Sequence, residues 1–335
     1  MQNMENYLRT AIPKVLDNKN NGSQNSTIST KTIKSDKIIY SISDIHQNLN
    51  YYIALLCQAG ISIDSDEKKI VIPSDRILTV HGDLFDAKEK SMVKSLSDVL
   101  KLSALLLEHN PGKVYFILGN HELFNLALHK KNPQTINQLS TADITFTEQF
   151  MNISNDADLS TRLAIIKLYL PFLKQFLAAL IVEHNDNSKS VFLHSGLSNT
   201  APISKVGAPD PHNNYNSIEE LKVDLNSLGE ISFVIKSFPH FTNKLYSPGN
   251  LGVKNTDFDF SNIHAIVTGH CSLIKEKENL QNISEVTQVV SKIENPTNRT
   301  TVNFVMIDSG LQSQVFDNGL KMISTKFFVT LPRHM

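Results

Sequence analysis

The sequence predicts an α/β protein, and two observations lead to that prediction. From about residue 37, a short β-branched or apolar run, a polar loop and a helical stretch follow one another three times, the pattern of β-α units in a mainly parallel sheet. Apolar residues make up 41% of the 335 and charged residues 19%, as in ordinary globular proteins. We predict a flexible lead-in over residues 1–36 and a single folded domain over 37–330.

The first half of the domain contains three predicted strands, each followed by a predicted helix. After the first strand, helical spacing continues to Gly60, a plausible stop. The second helix is predicted over about 89–108 and the third begins near Glu122. The strands themselves are predicted over residues 37–42, 76–80 and 113–118.

The second half is less regular. Residues 126–188 contain no convincing strand and are predicted to be a helical insertion. Within it, the amphipathic residues 158–183 are either a lid over a site or part of the core. Later strands are predicted over residues 190–193, 264–268, 301–307 and 326–330.

Charge and hydropathy disfavour several classes of function. The 32 Lys and Arg against 33 Asp and Glu leave a net charge of −1, which provides no general attraction to nucleic acid or to an anionic membrane. No apolar stretch reaches the roughly 20 residues of a membrane-spanning helix, and the N-terminus lacks a secretory signal pattern. Two cysteines cannot form a disulfide framework. We therefore expect a soluble protein of a reducing, cytoplasmic-type compartment.

Short polar motifs follow five of the predicted strands. The carboxyl ends of neighbouring strands in an open α/β sheet converge on one edge, where ligands bind. We therefore expect these motifs to lie together, although each one alone is usually a helix cap or a turn. They are Asp44-Ile45-His46, Gly82-Asp83-Leu84-Phe85-Asp86, Gly119-Asn120-His121-Glu122, His194-Ser195-Gly196 and Gly269-His270.

The side chains in these motifs suit a pair of divalent cations. Asp44 and His46 are two residues apart, so in an extended segment they point to the same side and can reach one cation. Asp83 can bridge two cations with its two carboxylate oxygens. Mixed imidazole, carboxylate and amide ligands favour Mn, Fe or Zn over Ca or Mg. His81, beside the second motif, is expected to be structural or to support a ligand.

The order of the five motifs closely resembles that of the calcineurin-like metallophosphoesterases. Within them, Gly119-Asn120-His121-Glu122, His194-Ser195-Gly196 and a Gly269-His270 without a second histidine are similar to the phosphoprotein phosphatases, and the run from Gly119 to Leu126 is similar to bacterial-type members. The resemblance covers residues 40–310 and implies a two-sheet β-sandwich flanked by helices. The Asn- and Lys-rich composition is also similar to that of bacterial effectors, which would be exported into a host cytoplasm without a classical signal peptide.

The resemblance implies a role for each motif. One metal ion would be held by Asp44, His46 and Asp83. A second would be held by Asp83, Asn120, His194 and His270, and both ions would be Mn, with Fe or Zn as alternatives. His121, paired with Asp86, would be the general acid. A hydroxide bridging the metals would attack the phosphorus of a phosphoserine or phosphothreonine, with phosphotyrosine as a further possible substrate, in phosphorylated proteins.

The sequence departs from the family where substrate phosphate is gripped. Ala87 stands where the family usually has an arginine, with Lys88 next to it, and residues 195–270 contain no arginine at all. Lys88 and Arg162 are the candidates for this role, as are Lys236 and Lys244.

Two other functions compete with protein phosphatase. A phosphodiesterase, nucleotidase or nuclease of the wider superfamily commonly has Gly-His-x-His at the last motif, where this chain has Ser272. A pseudophosphatase, which binds phosphoproteins without turnover, is suggested by Ala87 and disfavoured by the complete set of implied ligands.

Overall fold

Two β-sheets form the centre of the protein in the computed structural model. The structure describes residues 4, 6–8, 27–64, 66, 69–86, 96–149, 151–194, 219, 222–225, 261–270, 289–294, 301–307 and 329–331. The four-stranded sheet has the order β14 (Val329–Leu331), β3 (Ile38–Ile42), β6 (Arg76–Val80) and β7 (Val114–Phe116). Its strands β3, β6 and β7 are parallel, whereas β14 is antiparallel to β3.

The second large sheet has six strands and mixed directions. Their order is β12 (Val289–Glu294), β13 (Thr301–Met306), β11 (Ile263–Thr268), β9 (Lys189–Phe192), β8 (Leu180–Glu183) and β2 (Lys31–Lys34). Strands β13, β11 and β9 are parallel neighbours. Two small sheets pair β1 (Thr27–Ser29) with β10 (Lys222–Asp224) and β4 (Ser62–Asp64) with β5 (Lys69–Val71).

The two large sheets pack face to face. One apolar cluster contains Ile39 and Ile77 from the four-stranded sheet together with Leu180, Phe192 and Val267 from the six-stranded sheet. Alternate side chains of the same strands, such as those of Leu78 and Ile181, belong instead to the larger cluster that includes the helices, as expected from the period of two along a strand. The expected two-sheet sandwich with flanking helices is confirmed.

The helices within the described residues cover the outer side of this arrangement. Helix α1 (Leu49–Gln58) is capped by Asn48, whose side chain accepts a 2.9 Å hydrogen bond from the backbone N–H of Tyr51. Within the segment from residue 126 to 188, most of the described residues up to Leu173 are helical. The helices are α1 (Leu49–Gln58), α2 (Leu96–His109), α3 (Asn120–Lys131), α4 (Thr141–Gln149) and α5 (Asp156–Leu173), with a 3₁₀ turn at Ile136–Gln138.

Two sequence interpretations need correction, and one element was missed. Residues 27–34, placed in the flexible lead-in, form β1 and β2, and β2 is a mostly exposed edge strand whose polar residues hide its strand character. Leu180–Glu183 is a strand inside the predicted helical insertion. It was not recognised because a short apolar run that is buried on both faces lacks the alternation typical of a strand. The hairpin of β4 and β5 was not predicted.

Helix α5 is part of the core rather than a lid. Its residues Leu159, Ile166, Tyr169 and Phe172 are almost fully buried in the large apolar cluster. Of the two alternatives left open for residues 158–183, ordinary core packing is therefore correct for the helix.

Candidate metal centre

The ends of five strands from both large sheets meet at the candidate site. The loops after β3, β6 and β7 carry the first three motifs, and the ends of β9 and β11 carry His194 and His270. The backbone N–H of His46 donates to the carbonyl of Asp83 at 2.8 Å, and that of His270 donates to Asp44 Oδ2 at 2.9 Å. These bonds connect residues that are up to 226 positions apart in the chain.

Left-handed backbone conformations shape these loops. Few residues other than glycine adopt a positive φ, and such residues cluster at functional sites. The expectation that Asp44 and His46 share a side because their segment is extended is therefore wrong, although their side chains do lie close together. The predicted site residues with positive φ are Asp44 (54°), His46 (46°), Asp83 (55°), Asp86 (63°) and His270 (68°).

The first group of candidate ligands surrounds one carboxylate oxygen of Asp83. His46 Nε2 lies 3.8 Å from both Asp83 Oδ2 and Asp44 Oδ1. His121 Nε2 lies 3.8 Å from the same Asp83 oxygen, so His46, Asp83 and His121 form one cluster with metal-binding potential. The side chains of these three residues and of Asp44 are all buried.

The second group surrounds the other oxygen of Asp83. His194 Nε2 is 3.4 Å from Asp83 Oδ1 and 3.0 Å from Asn120 Oδ1. His270 Nδ1 is 3.1 Å from both His194 Nε2 and Asn120 Oδ1. Asp83, His194 and His270 form a second cluster with metal-binding potential. The carboxylate of Asp83 therefore faces both groups, one oxygen to each.

The donor atoms of both groups fit cations. His194 Nδ1 contacts the carbonyl of His81, and His46 Nδ1 lies 3.0 Å from the carbonyl of Asp86. A carbonyl only accepts, so in a neutral imidazole these contacts place the proton on Nδ1 and direct the Nε2 lone pair into the site. Lone pairs of imidazole, amide and carboxylate atoms thus converge, which suits divalent metal ions.

Electrostatics also favour positive charge here. Burial acts to lower the pKa of His194, but the carboxylates of Asp83 and Asp44 outweigh it and raise the pKa to about 10. Burial acts to raise the pKa of Asp83, and the imidazoles of His194, His121 and His46 nevertheless hold it well below its usual value. Bound metal ions would supply the positive charge that this buried carboxylate requires.

Glu122 fastens two of the motif loops together, a role that the sequence reasoning did not assign. Its fully buried carboxylate accepts hydrogen bonds from the N–H groups of Asp83 (2.8 Å), Leu84 (2.7 Å) and Gly119 (2.9 Å). Burial, together with the charge of Asp83, raises the pKa of Glu122 to about 7. Its place three residues into α3, after Gly119, is a capping-box position, and that was the available signal.

His121 and Asp86 form a hydrogen-bonded pair at the side of the first group. His121 Nδ1 is 2.9 Å from Asp86 Oδ2, and the Asn125 side-chain amide donates to the same oxygen at 2.9 Å. Arg162 Nη2 lies 3.1 Å from the other oxygen, Asp86 Oδ1. Neither Asn125 nor the contact between Arg162 and Asp86 was foreseen, since nothing in the sequence connects α5 with this loop.

His81 supports the site as expected. Its ring nitrogens contact the carbonyl of Leu193 (2.7 Å) and the hydroxyl of Thr79 (3.1 Å), which ties β6 to the end of β9. Burial lowers the pKa of His81 to about 3, so the ring is neutral.

Several predicted residues lie outside the described part of the chain. Lys88, a candidate for phosphate binding, is among them, as are Ala87, Ser195, Gly196, Lys236, Lys244 and Ser272. Among the helices that the structure does describe, none is both long and apolar enough to cross a bilayer.

The fold and the site together are typical of metal-dependent hydrolases. The chain belongs to the calcineurin-like phosphoesterases, since the model of that family matches residues 38–271, more than half of the sequence. This membership confirms the predicted family and fold, and the family uses divalent metals. No curated protein matches the chain significantly.

Solved structures with distant similarity include three phosphatases. A cold-active protein tyrosine phosphatase of a Shewanella species is 17% identical over 87% of this chain and 76% of its own, with a TM-score of 0.38. A Saccharomyces cerevisiae protein serine/threonine phosphatase is 11% identical over 91% and 73%, with a TM-score of 0.36. The phosphatase domain of the Legionella effector WipB is 18% identical over 59% and 80%, with a TM-score of 0.36.

Proposed function

We propose that the protein is a metal-dependent protein phosphatase that hydrolyses phosphoserine or phosphothreonine, with phosphotyrosine as a further substrate. The supporting observation is the position of Asp83, whose two carboxylate oxygens each face a separate group of candidate ligands. That arrangement suits two neighbouring cations, which is the requirement for activating water and clamping a transferring phosphoryl group.

We assign the ligands as the family resemblance implies. Asp44, His46 and Asp83 would hold one ion, and Asp83 would also belong to the second group. The second group consists of Asp83, Asn120, His194 and His270. Mixed nitrogen and oxygen donors favour Mn, with Fe or Zn as alternatives. The bound ions would supply an ionised water near neutral pH and neutralise charge on the phosphate oxygens.

His121 is proposed as the general acid. Its Nδ1–H donates to Asp86 Oδ2 at 2.9 Å, which orients the ring so that Nε2 faces the site, 3.8 Å from Asp83 Oδ2. A proton held at Nε2 passes to the departing serine or threonine oxygen as the bond between that oxygen and phosphorus breaks. Attack by water needs no serine or cysteine nucleophile.

The targets and the compartment belong to the same proposal. Phosphorylated proteins are the expected partners, and Cys57, a free and exposed thiol, suits a reducing cytoplasm. A role as a bacterial effector in a host cytoplasm and phosphate contact by Lys88 remain predictions.

Metal-dependent phosphate release tests this function. The purified protein is stripped with a chelator, reloaded with Mn, Fe or Zn, and assayed on phosphoserine, phosphothreonine and phosphotyrosine peptides and on bis-(p-nitrophenyl) phosphate. Asp83→Asn and His121→Ala are expected to lower turnover of the peptides at least about 100-fold, in line with the usual worth of such groups. The matched controls are Asp98→Asn on the exposed side of α2 and His129→Ala, two turns further along α3 than His121.

The competing functions predict different results. Faster turnover of bis-(p-nitrophenyl) phosphate than of any phosphopeptide would favour a phosphodiesterase. Phosphopeptide binding without phosphate release under any metal would favour a pseudophosphatase. Full activity after exhaustive chelation would refute the metal-dependent chemistry.

A further inference from the structure

Arg162 connects the core helix α5 to His121 and Asp86, which we call the acid pair. Its side chain is 5% exposed, and its Nη2 atom lies 2.9 Å from the carbonyl of Met151 and 3.1 Å from Asp86 Oδ1. Asp86 lies 76 residues earlier in the chain, in the loop after β6. A buried guanidinium is costly without a charged partner, and Asp86 is the largest favourable charge acting on Arg162, ahead of Asp158.

Both oxygens of the Asp86 carboxylate are engaged on different sides. Oδ2 accepts from His121 Nδ1 and from the Asn125 amide, each at 2.9 Å. Oδ1 faces Arg162. A carboxylate held at one oxygen alone can rotate about its Cβ–Cγ bond, and this rotation would weaken the contact with His121. The guanidinium opposes that rotation.

The geometry disfavours phosphate binding by Arg162, which the sequence left open. An arginine that grips substrate phosphate presents its fork of N–H donors to an open cavity. Here the side chain is buried, and Nη2 donates to the carbonyl of Met151 and forms an ion pair with Asp86. The same arrangement suits a supporting role for the carboxylate of Asp86.

We propose that Arg162 is a positioning residue that fixes the carboxylate of Asp86 and, through it, the orientation and Nδ1–H tautomer of His121. This inference rests on the proposed function. Because Arg162 acts through the acid pair, its loss affects reactions that need a proton at the leaving oxygen. A serine alkoxide is a poor leaving group and needs that proton, whereas p-nitrophenolate departs without it.

The test compares the two kinds of leaving group. Wild type, Arg162→Met and Arg162→Lys are loaded with Mn, and kcat is measured on a phosphoserine peptide and on p-nitrophenyl phosphate. For Arg162→Met we expect kcat on the peptide to fall about 10- to 100-fold, a part of the 10²–10⁴ that a general acid contributes. On p-nitrophenyl phosphate kcat is expected to fall less than about threefold, because little proton transfer is needed there.

A structural arginine supplies the matched control. Arg76 lies at the start of β6, the end of the strand opposite the site, where it contacts Asp75 and the carbonyl of Ala59. Arg76→Met removes a partly buried guanidinium without touching the acid pair. We expect it to leave the ratio of the two kcat values at the wild-type level, even where it lowers the melting temperature.

A double-mutant cycle separates action through Asp86 from direct action on phosphate. In an Asp86→Asn background, Arg162→Met is expected to change kcat on the peptide less than about twofold, because coupled residues are not additive. Equal losses on both substrates, or the same loss in both backgrounds, would overturn the inference and favour phosphate contact. An unchanged kcat on the peptide would also overturn it.

The folding of the variants decides which comparison is used. Arg162→Lys keeps a cation and the aliphatic stem, so it remains informative if Arg162→Met does not fold. We expect the same preference for p-nitrophenyl phosphate with a smaller loss, and a loss equal on both substrates would overturn the inference. Absence of turnover by the wild type with every metal would overturn the proposed function as well, whereas active wild type with substrate-independent losses would overturn only the role of Arg162.

Discussion

The close approach of two motif loops at Gly82 yields a sharp prediction. Gly82 has a φ of +73°, and a Cβ atom added there would meet the backbone N of Gly119, lie 2.5 Å from its Cα and lie 3.0 Å from the carbonyl of Ile117. All three neighbours are backbone atoms, so they cannot move aside as a flexible side chain can. Gly82→Ala therefore has to separate the loop after β6 from the loop after β7.

The cost of this substitution has two parts. Holding alanine in the left-handed region costs about 1–2 kcal/mol. Carbon atoms normally contact at about 3.5–4.0 Å, so the loops must separate by about 1 Å, an overpacking that costs a further 1–3 kcal/mol or so. We expect Gly82→Ala to lower the free energy of unfolding by about 2–5 kcal/mol in total.

Gly112 provides the matched control for this prediction. It has nearly the same φ, +74°, but a Cβ atom there would meet nothing within 4 Å. Gly112→Ala therefore carries the backbone cost alone, about 1–2 kcal/mol. The difference between the two variants isolates the steric contact between the loops.

Urea unfolding and metal titration measure the effect. Gly82 and Gly119 directly precede Asp83 and Asn120, so separating them displaces two candidate ligands. We expect Gly82→Ala to weaken Mn binding at least about tenfold by calorimetry, whereas Gly112→Ala leaves it unchanged. If the two variants unfolded within about 0.5 kcal/mol of each other and bound Mn equally, the reasoning from loop contact would be refuted.

Three further predictions concern the site and the stability of the fold. Glu122→Ala removes the acceptor for the N–H groups of Asp83 and Gly119, so it should weaken Mn binding about 10- to 100-fold by calorimetry. The control Glu148→Ala, at an exposed position, should leave Mn binding unchanged. Equal Mn affinities of the two variants would contradict the role of Glu122 in holding the two loops together. Mn at about 100 times its dissociation constant should stabilise the chelated protein by about 2.7 kcal/mol in urea unfolding, and no change would indicate that the folded state gains no metal. Burial and the neighbouring His184 lower the pKa of His264. The contribution of His264 to stability is therefore present above the unfolded-state pKa of about 6.5 and is lost as the pH falls below it. His264→Gln should flatten the loss of unfolding free energy measured from about pH 7 to 5, and an unchanged slope would refute this prediction.

The strand-end motifs could be predicted because their signals are local. A β-branched run followed by Asp44 and His46, or by Gly82 and Asp83, identifies both the strand and the polar loop after it. The convergence of these loops then follows from the general behaviour of strand ends in α/β sheets. The fold class and the identity of the residues that come together were therefore accessible from the sequence.

The remaining features depend on contacts that are distant in the chain. Strand β2 pairs with β8 across about 150 positions, and its polar residues give no sign of that pairing. The contact between Arg162 and Asp86 joins a helix to a loop 76 positions earlier, and no local spacing predicts it. The positive φ at Asp44 and His46 likewise results from the packing of the loop. Their side chains are neighbours, as predicted, but the segment between them is not extended.

The division of the candidate ligands between two sheets has a mechanical consequence. Asp44, Asp83 and Asn120 follow strands of the four-stranded sheet, whereas His194 and His270 follow strands of the six-stranded sheet. Ions bound by both sets would cross-link the two sheets of the sandwich. A movement of one sheet relative to the other would then change the coordination of the ions. Loss of the ions would accordingly reduce both the rigidity of the sandwich and the metal-dependent chemistry.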